Sequence, residues 1–342
     1  MRKLNRKLLI FVLQLKILNM ENKNILVTGG AGFIGSHLTK KLVAQGSNVT
    51  ITVKYKSIID NVRLSNMWND VNIVEVDLRN IDSLRQLGNE YFDIIFHLAA
   101  YNHVGDSFLH VNESLMSNAI ATANLLESGI EYGRFVYTAT SEVYGFQKVV
   151  PFHENFQPFP ISPYAVGKYA GELYARMKRH KDDSPIVVIR PFNTFGPYQS
   201  ERAVIPELII KCLKGQPVET TEGKQTREFN FIENIVNGFL SIAEVEPIPD
   251  QVINIGSKQE IAICDLVKKI HELCDSTSDL RIGALKNRPT EVWRMSADNQ
   301  RALDLLDWTP TISFEEGLDK TISWYKEYFD VFYSPNSSLN RL

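Results

Sequence analysis

Asn24-Ile25-Leu26-Val27-Thr28-Gly29-Gly30-Ala31-Gly32-Phe33-Ile34-Gly35-Ser36-His37-Leu38 decides the fold. The aliphatic and β-branched run 25–28 reads as a buried parallel strand. Glycines break it, and apolar residues then resume at helical spacing: Phe33, Ile34, Leu38 and Leu42. A glycine fingerprint gains meaning in that strand–turn–helix context. Gly29 permits the tight turn, Gly32 lets backbone approach a pyrophosphate, and Gly35 lets the helix pack closely on the strand. The helix N-terminus offers free N–H groups and a positive dipole end to phosphates. The stretch predicts a dinucleotide site that includes Phe33 and Ile34.

Outward from it, strands are expected at 48–53, 72–76, 93–97, 134–139 and 186–189, with helices at 111–128 and 162–180. This alternation predicts an α/β fold, a Rossmann doubly wound parallel sheet with ligands at the carboxyl ends of its strands. Past about Pro191 the alternation loosens. Helices at 203–214, 232–244, 263–275 and 314–329, with short strands such as 252–255, read as a smaller α/β substrate-binding lobe. The expected division is therefore 1–22 as an N-terminal extension outside the fold, 23–190 as the NAD(P)-binding Rossmann domain, 191–332 as the second lobe and 333–342 as a loose tail.

The 342 residues are 44% hydrophobic and 23% charged, ordinary for a soluble enzyme with a substantial core. A net charge of -3 gives no electrostatic case for a nucleic-acid partner. Cys212, Cys264 and Cys274 lack metal-ligand spacing and cannot all pair, so they read as reduced thiols of a cytoplasmic protein with no metal. Basic residues precede the apolar run 8–13, but Gln14 and Lys16 interrupt it. It is shorter than the ~20 apolar residues a bilayer span needs, so no membrane association is expected.

The end of the second strand selects the cofactor. NAD sites usually place an acid there for the ribose hydroxyls. Here the chain reads Val53-Lys54-Tyr55-Lys56-Ser57, and Lys54 and Lys56 favour a 2′-phosphate, hence NADP, with NAD as the alternative. Asp77-Leu78 is placed to meet the adenine, and Leu98-Ala99-Ala100 supplies small residues beside which a cofactor can lie.

Tyr164 and Lys168 lie four residues apart on one helix face, with Ser162 and Pro163 suited to its start. An adjacent cation stabilises a phenolate and is expected to lower the tyrosine pKa, so that it can take a proton from a sugar hydroxyl. Tyr144 and Lys148, and Tyr174 and Lys178, share the spacing. Tyr144 falls in a loop, however, and Tyr174 lies ~15 Å further along the helix. At the end of the fifth strand, Thr140 can hydrogen-bond a substrate oxygen, and Glu142 is a carboxylate base candidate.

Thr-Gly-Gly-Ala-Gly-Phe-Ile-Gly, His97-Leu-Ala-Ala, Thr140-Ser-Glu-Val-Tyr-Gly, Tyr164 with Lys168, and Arg190-Pro-Phe-Asn-Thr-Phe-Gly-Pro occur in order. From residue 24 to 329 the chain resembles the extended short-chain dehydrogenase/reductases that act on nucleotide sugars. Thr-Ser-Glu before Val-Tyr-Gly is similar to the 4,6-dehydratases and UDP-glucuronate decarboxylases, whereas 4-epimerases usually lack the carboxylate. The resemblance implies that Asn193, Arg227 and Arg288 contact a nucleotide diphosphate, that Pro191 belongs with the cofactor residues, and that Asn118 is structural. It implies a tightly bound, recycled cofactor and a homodimer built from the helices at 111–128 and 162–180. The implied reaction is C4 oxidation assisted by Tyr164, Lys168 and Thr140, C5 deprotonation by Glu142, loss of water from C6 and hydride return. Ser141 departs from the thymidine-nucleotide dehydratases, which tend to carry Asp there; a water held by Ser141 can serve as the proton donor.

Overall fold

The computed structural model describes residues 20–54, 62–287 and 291–333. Six strands come first in the chain: β1 Asn24–Thr28, β2 Asn48–Val53, β3 Val71–Glu75, β4 Ile94–His97, β5 Phe135–Thr138 and β6 Ile186–Pro191. Short strands β7 Thr194–Phe195, β8 Val218–Thr220, β9 Thr226–Glu228 and β10 Asn230–Phe231 follow. The last are β11 Val252–Ile255, β12 Glu260–Ala262 and β13 Leu280–Ile282. The main sheet has seven parallel strands in the order β11-β6-β5-β4-β1-β2-β3. The chain turns from building one half to the other between β1 and β4, so the crevice for a ligand opens there.

Both faces are covered, which is why the strands read as continuous apolar runs. Ile25, Val27, Phe96, Val136 and Ile189 point to one face and pack against the helices Phe33–Ala44 and Ile232–Glu244. Leu26, Ile95, Phe135, Tyr137 and Val188 point to the other, towards Ala121–Glu127 and Ala175 of the helix Pro163–Asp182. This alternation is the period of two of a β-strand.

The expected helix at 111–128 is three consecutive helical segments, Val111–Leu115, the π turn Met116–Ile120 and Ala121–Glu127. Asn118 in the π turn exchanges two hydrogen bonds with the Tyr101 backbone, at 2.9 and 3.0 Å. Gly167 and Gly171 let the Pro163–Asp182 helix cross it closely, since a Cβ at Gly171 would fall 2.7 Å from the Asn118 carbonyl oxygen.

Two parts of the chain sit differently from the plain reading. β11, which follows the second lobe's helices in sequence, pairs with β6 and extends the main sheet. Met20, which falls within the expected 1–22 extension, belongs to the packed core. Met20 is fully buried, and Ser47 Oγ donates to its carbonyl at 2.7 Å. Its burial is apolar, and apolar burial is what anchors a segment to a core. Residues 1–19 and 334–342, including most of the expected tail, lie outside the described residues. Among those described, no helix is long and apolar enough to cross a membrane.

Candidate active site

A cleft of about 760 Å3 opens along the carboxyl ends of the central strands. Its floor is the glycine turn. Gly29 has φ +68°, and a Cβ there would lie 2.9 Å from Ala99 backbone, so glycine is required on both counts. A Cβ at Gly35 would reach the Gly29 oxygen at 2.2 Å. The helix Phe33–Ala44 starts with no capping side chain and no acid in its first turn, leaving its N–H groups aimed at the cleft. This uncapped terminus over a side-chain-free turn fits a pyrophosphate. At the switch point His97 bridges Thr28 Oγ1 at 2.7 Å and Thr122 Oγ1 at 3.0 Å. Burial pushes its imidazole down to about 3, so it works as a neutral strut.

Of the expected cofactor residues, Gly29, Gly32, Phe33, Ile34 and Gly35 line the cleft. So do Lys54, Asp77, Leu78, Leu98, Ala99, Ala100 and Pro191. Lys54 is half-exposed and 3.4 Å from Glu113. Asp77 accepts a fork from Arg79, whose Nη2 lies at 2.6 Å, and that hydrogen bond holds its carboxyl below the usual range. Lys56 and Arg288 lie outside the described residues.

The chemical groups meet further along the cleft. Ser162 caps the helix Pro163–Asp182 by accepting from Ala165 N at 3.1 Å, which presents Tyr164 and Lys168 in its first two turns. Thr140 caps the turn Ser141–Tyr144 in the same manner, accepting from Glu142 N at 3.2 Å. Thr140, Ser141, Glu142, Tyr164 and Lys168 all line the cleft. The Tyr164 phenol hydrogen-bonds Thr140, and the Glu142 charge acts on it. Ser141 Oγ donates to Met295 Sδ at 3.7 Å, a weak acceptor.

The expected depression of the tyrosine pKa is corrected. Burial is the largest effect and pushes Tyr164 up to about 12; the Thr140 hydrogen bond opposes it and Glu142 adds to it. Burial also pulls Lys168 down to about 7, against the pull of Glu172. Taking each group from water favours its neutral form.

Beyond Tyr164, Asn193 lines the cleft and donates to the Glu228 carbonyl at 3.2 Å. Arg227 is not brought into the lining: its guanidinium pairs with Glu291 at 2.7 Å. Sequence reasoning passed over Arg63 and Arg79, which also line the cleft. Thr138 and Gln199 also line it, and their Oγ1 and Oε1 are buried with no hydrogen-bond partner among the described residues. Thr138, two residues before Thr140 at the end of β5, is the one with a legible signal.

With this geometry in place, comparison with known proteins is decisive. The family model described as GDP-mannose 4,6 dehydratase matches residues 26–321. The chain belongs to that family. It is 30% identical over 326 residues to dTDP-D-glucose 4,6-dehydratase of Homo sapiens, covering 90% of this chain and 91% of that one. It is 33% identical over 321 residues to UDP-glucuronic acid decarboxylase 1 of Xenopus tropicalis, covering 90% and 73%. A solved UDP-glucuronic acid 4-epimerase from Bacillus cereus, in complex with UDP-glucuronic acid and NAD, superposes with a TM-score of 0.80 at 30% identity, covering 89% and 99%. Nucleotide-sugar dehydratases, decarboxylases and epimerases are thus all relatives of this family member.

Proposed function

We propose that this protein is a nucleotide-sugar 4,6-dehydratase that forms a 4-keto-6-deoxy sugar. The observation that carries the reading is Glu142, a carboxylate in the same cleft as Thr140 and Tyr164 and near enough to act on the phenol. A nicotinamide cofactor, when bound, supplies hydride acceptance from the sugar and hydride return. Gly29, Gly32 and the first turn of the Phe33–Ala44 helix would hold its pyrophosphate, with Leu98 to Ala100 beside it.

Tyr164 exchanges a proton with the C4 hydroxyl at its Oη, oriented by Thr140, while Lys168 in its charged form stabilises the phenolate. A ketone at C4 acidifies the C5 hydrogen; Glu142 takes that proton, a water held by Ser141 gives one to the C6 hydroxyl, and the C6–O bond breaks to release water. An epimerase has no need of a carboxylate here. Glu142 is compatible with a decarboxylase too, but a decarboxylase must hold a C6 carboxylate, and that calls for a cation at this end of the cleft. From Glu142 to Phe229 the described lining carries Lys168 and no other lysine or arginine. A neutral C6 hydroxymethyl suits this end of the cleft.

NADP is the form we favour. No acid ends β2, Lys54 lines the cleft there, and Arg63 and Arg79 add cations. Asp77 and Glu113 beside them are the observation that favours NAD. The dimer proposal rests on Val166, Leu173 and Met177, which leave 44%, 47% and 42% of their surface exposed along the Pro163–Asp182 helix. The arrangement suits a bundle with a second copy.

Mass spectrometry on products from a panel of hexose and uronate nucleotides, without added cofactor, tests the reading. A product lighter by one water supports it and names the nucleotide. Unchanged mass with altered stereochemistry, or loss of carbon dioxide, replaces it with epimerisation or decarboxylation.

A further inference from the structure

Behind the cleft, one guanidinium joins the two elements that carry the chemistry. Arg190, the fifth residue of β6, is 1% exposed. Its Nε and Nη2 donate to the two Glu172 carboxylate oxygens at 2.9 and 2.6 Å. Its Nη1 donates to the Tyr144 hydroxyl at 2.9 Å, and its plane lies 4.8 Å from that ring's centre. The Tyr144 hydroxyl in turn donates to Asn254 Oδ1 on β11 at 2.7 Å. Glu172, Tyr144 and Asn254 are all fully buried.

The partners' positions give the network its meaning. Glu172 stands one helical turn beyond Lys168 and two beyond Tyr164. Tyr144 closes the turn that begins at Ser141 and carries Glu142. The planar fork of arginine therefore holds the proton-exchanging helix on one side and the carboxylate-bearing turn on the other. A lysine, a single point of charge, cannot span both. Arg190 gives Glu172 its two close charged hydrogen bonds, whereas Arg176 stands 3.6 Å away and is 42% exposed.

We propose that Arg190 is a positioning residue: through Glu172 and Tyr144 it sets the spacing between Tyr164 and Glu142, and so the balance between C4 oxidation and C5 deprotonation. This rests on reading Glu142 as the C5 base. Loosening the Tyr144 side moves the turn while leaving Tyr164 and Lys168 on a helix still held by Arg190 and Glu172. C5 deprotonation then suffers before oxidation does.

Tyr144→Phe keeps the ring beneath the guanidinium and removes the hydroxyl alone; Arg190→Lys keeps the charge and removes the fork. Each is compared with the unmodified protein in heavy water, with its product-forming hexose nucleotide. Deuterium uptake at C5 is measured against cofactor reduction in a single turnover. The ratio is internal, so loss of folded protein cancels. Both variants are expected to lower C5 uptake relative to cofactor reduction by about tenfold or more, the scale on which sub-ångström to ångström misplacement acts. A ratio unchanged in both variants, with normal uptake in the unmodified protein, overturns the positioning role alone. Absence of C5 uptake in the unmodified protein overturns the base assignment of Glu142, and the positioning proposal falls with it.

Discussion

The Nζ of Lys168 lies 4.9 Å from the centre of the Tyr137 ring, and the Tyr137 hydroxyl donates to the carbonyl of that same lysine at 2.8 Å. Tyr137, on β5 and fully buried, thus holds Lys168 at both ends. The ring's negative face replaces part of the water a buried ammonium loses, without offsetting all of it.

Stability should consequently depend on pH through Lys168. Its pKa falls from the ordinary 10.5 to about 7 on folding. Between those values the unfolded chain binds the extra proton, so stability rises with pH across that window. Below about 7 the full cost of burying the charge is present. Lys168→Met is expected to be more stable than the parent at pH 6, by on the order of 2 kcal/mol, with the advantage shrinking towards pH 10. Urea denaturation of both proteins across that range checks it; an advantage that grows with pH contradicts the burial argument.

Glu142→Gln should separate the half-reactions. Tyr164 and Thr140 remain, so the variant still reduces cofactor on addition of substrate. Dehydrated product falls by about a hundredfold or more, the contribution of a positioned base. Product analysis beside nicotinamide absorbance reads both, and ordinary turnover would return Glu142 to the status of a loop residue.

The glycine turn has no room at Gly35, where a Cβ would sit 2.2 Å from the Gly29 oxygen. That atom is backbone and cannot swing aside. Gly35→Ala is expected to cost roughly 2 kcal/mol or more of stability and to lose cofactor binding. Thermal melts with and without added cofactor measure both effects.

Lys54 decides the cofactor preference if NADP is the natural form. Lys54→Glu places an acid at the end of β2, where it repels a 2′-phosphate and accepts from ribose hydroxyls. The NADP-to-NAD affinity ratio should drop roughly tenfold, the worth of one charge-assisted hydrogen bond of about 1.5 kcal/mol. Titration calorimetry with each cofactor gives the ratio, and an unmoved ratio assigns Lys54 to its ion pair with Glu113.

Leu173→Glu puts a carboxylate in the middle of the exposed apolar stripe on the Pro163–Asp182 helix. Sedimentation should show the parent as a dimer and the variant shifted to monomer at the same concentration. A parent that sediments as a monomer would mean that Val166, Leu173 and Met177 are simply solvent-facing.

The strand–turn–helix at 24–38, the alternation of strands and helices, and the helix start that places Tyr164 and Lys168 were all legible in the sequence. Each depends on contacts within about one turn or one strand, where residue type and spacing act directly. The pairing of β11 with β6 was not legible, because a short apolar run carries no label for its neighbour. Nor was the retreat of Arg227 to Glu291, or the arrival of Arg63 at the cleft, since both depend on residues far apart in the chain. Sequence chemistry placed a lysine beside a tyrosine. Only the tertiary structure decided that burial lowers the pKa of the one and raises that of the other, and that Arg190 ties their helix to the turn of Glu142. Burial and long-range hydrogen bonding are properties of packed neighbours, and no local pattern encodes them.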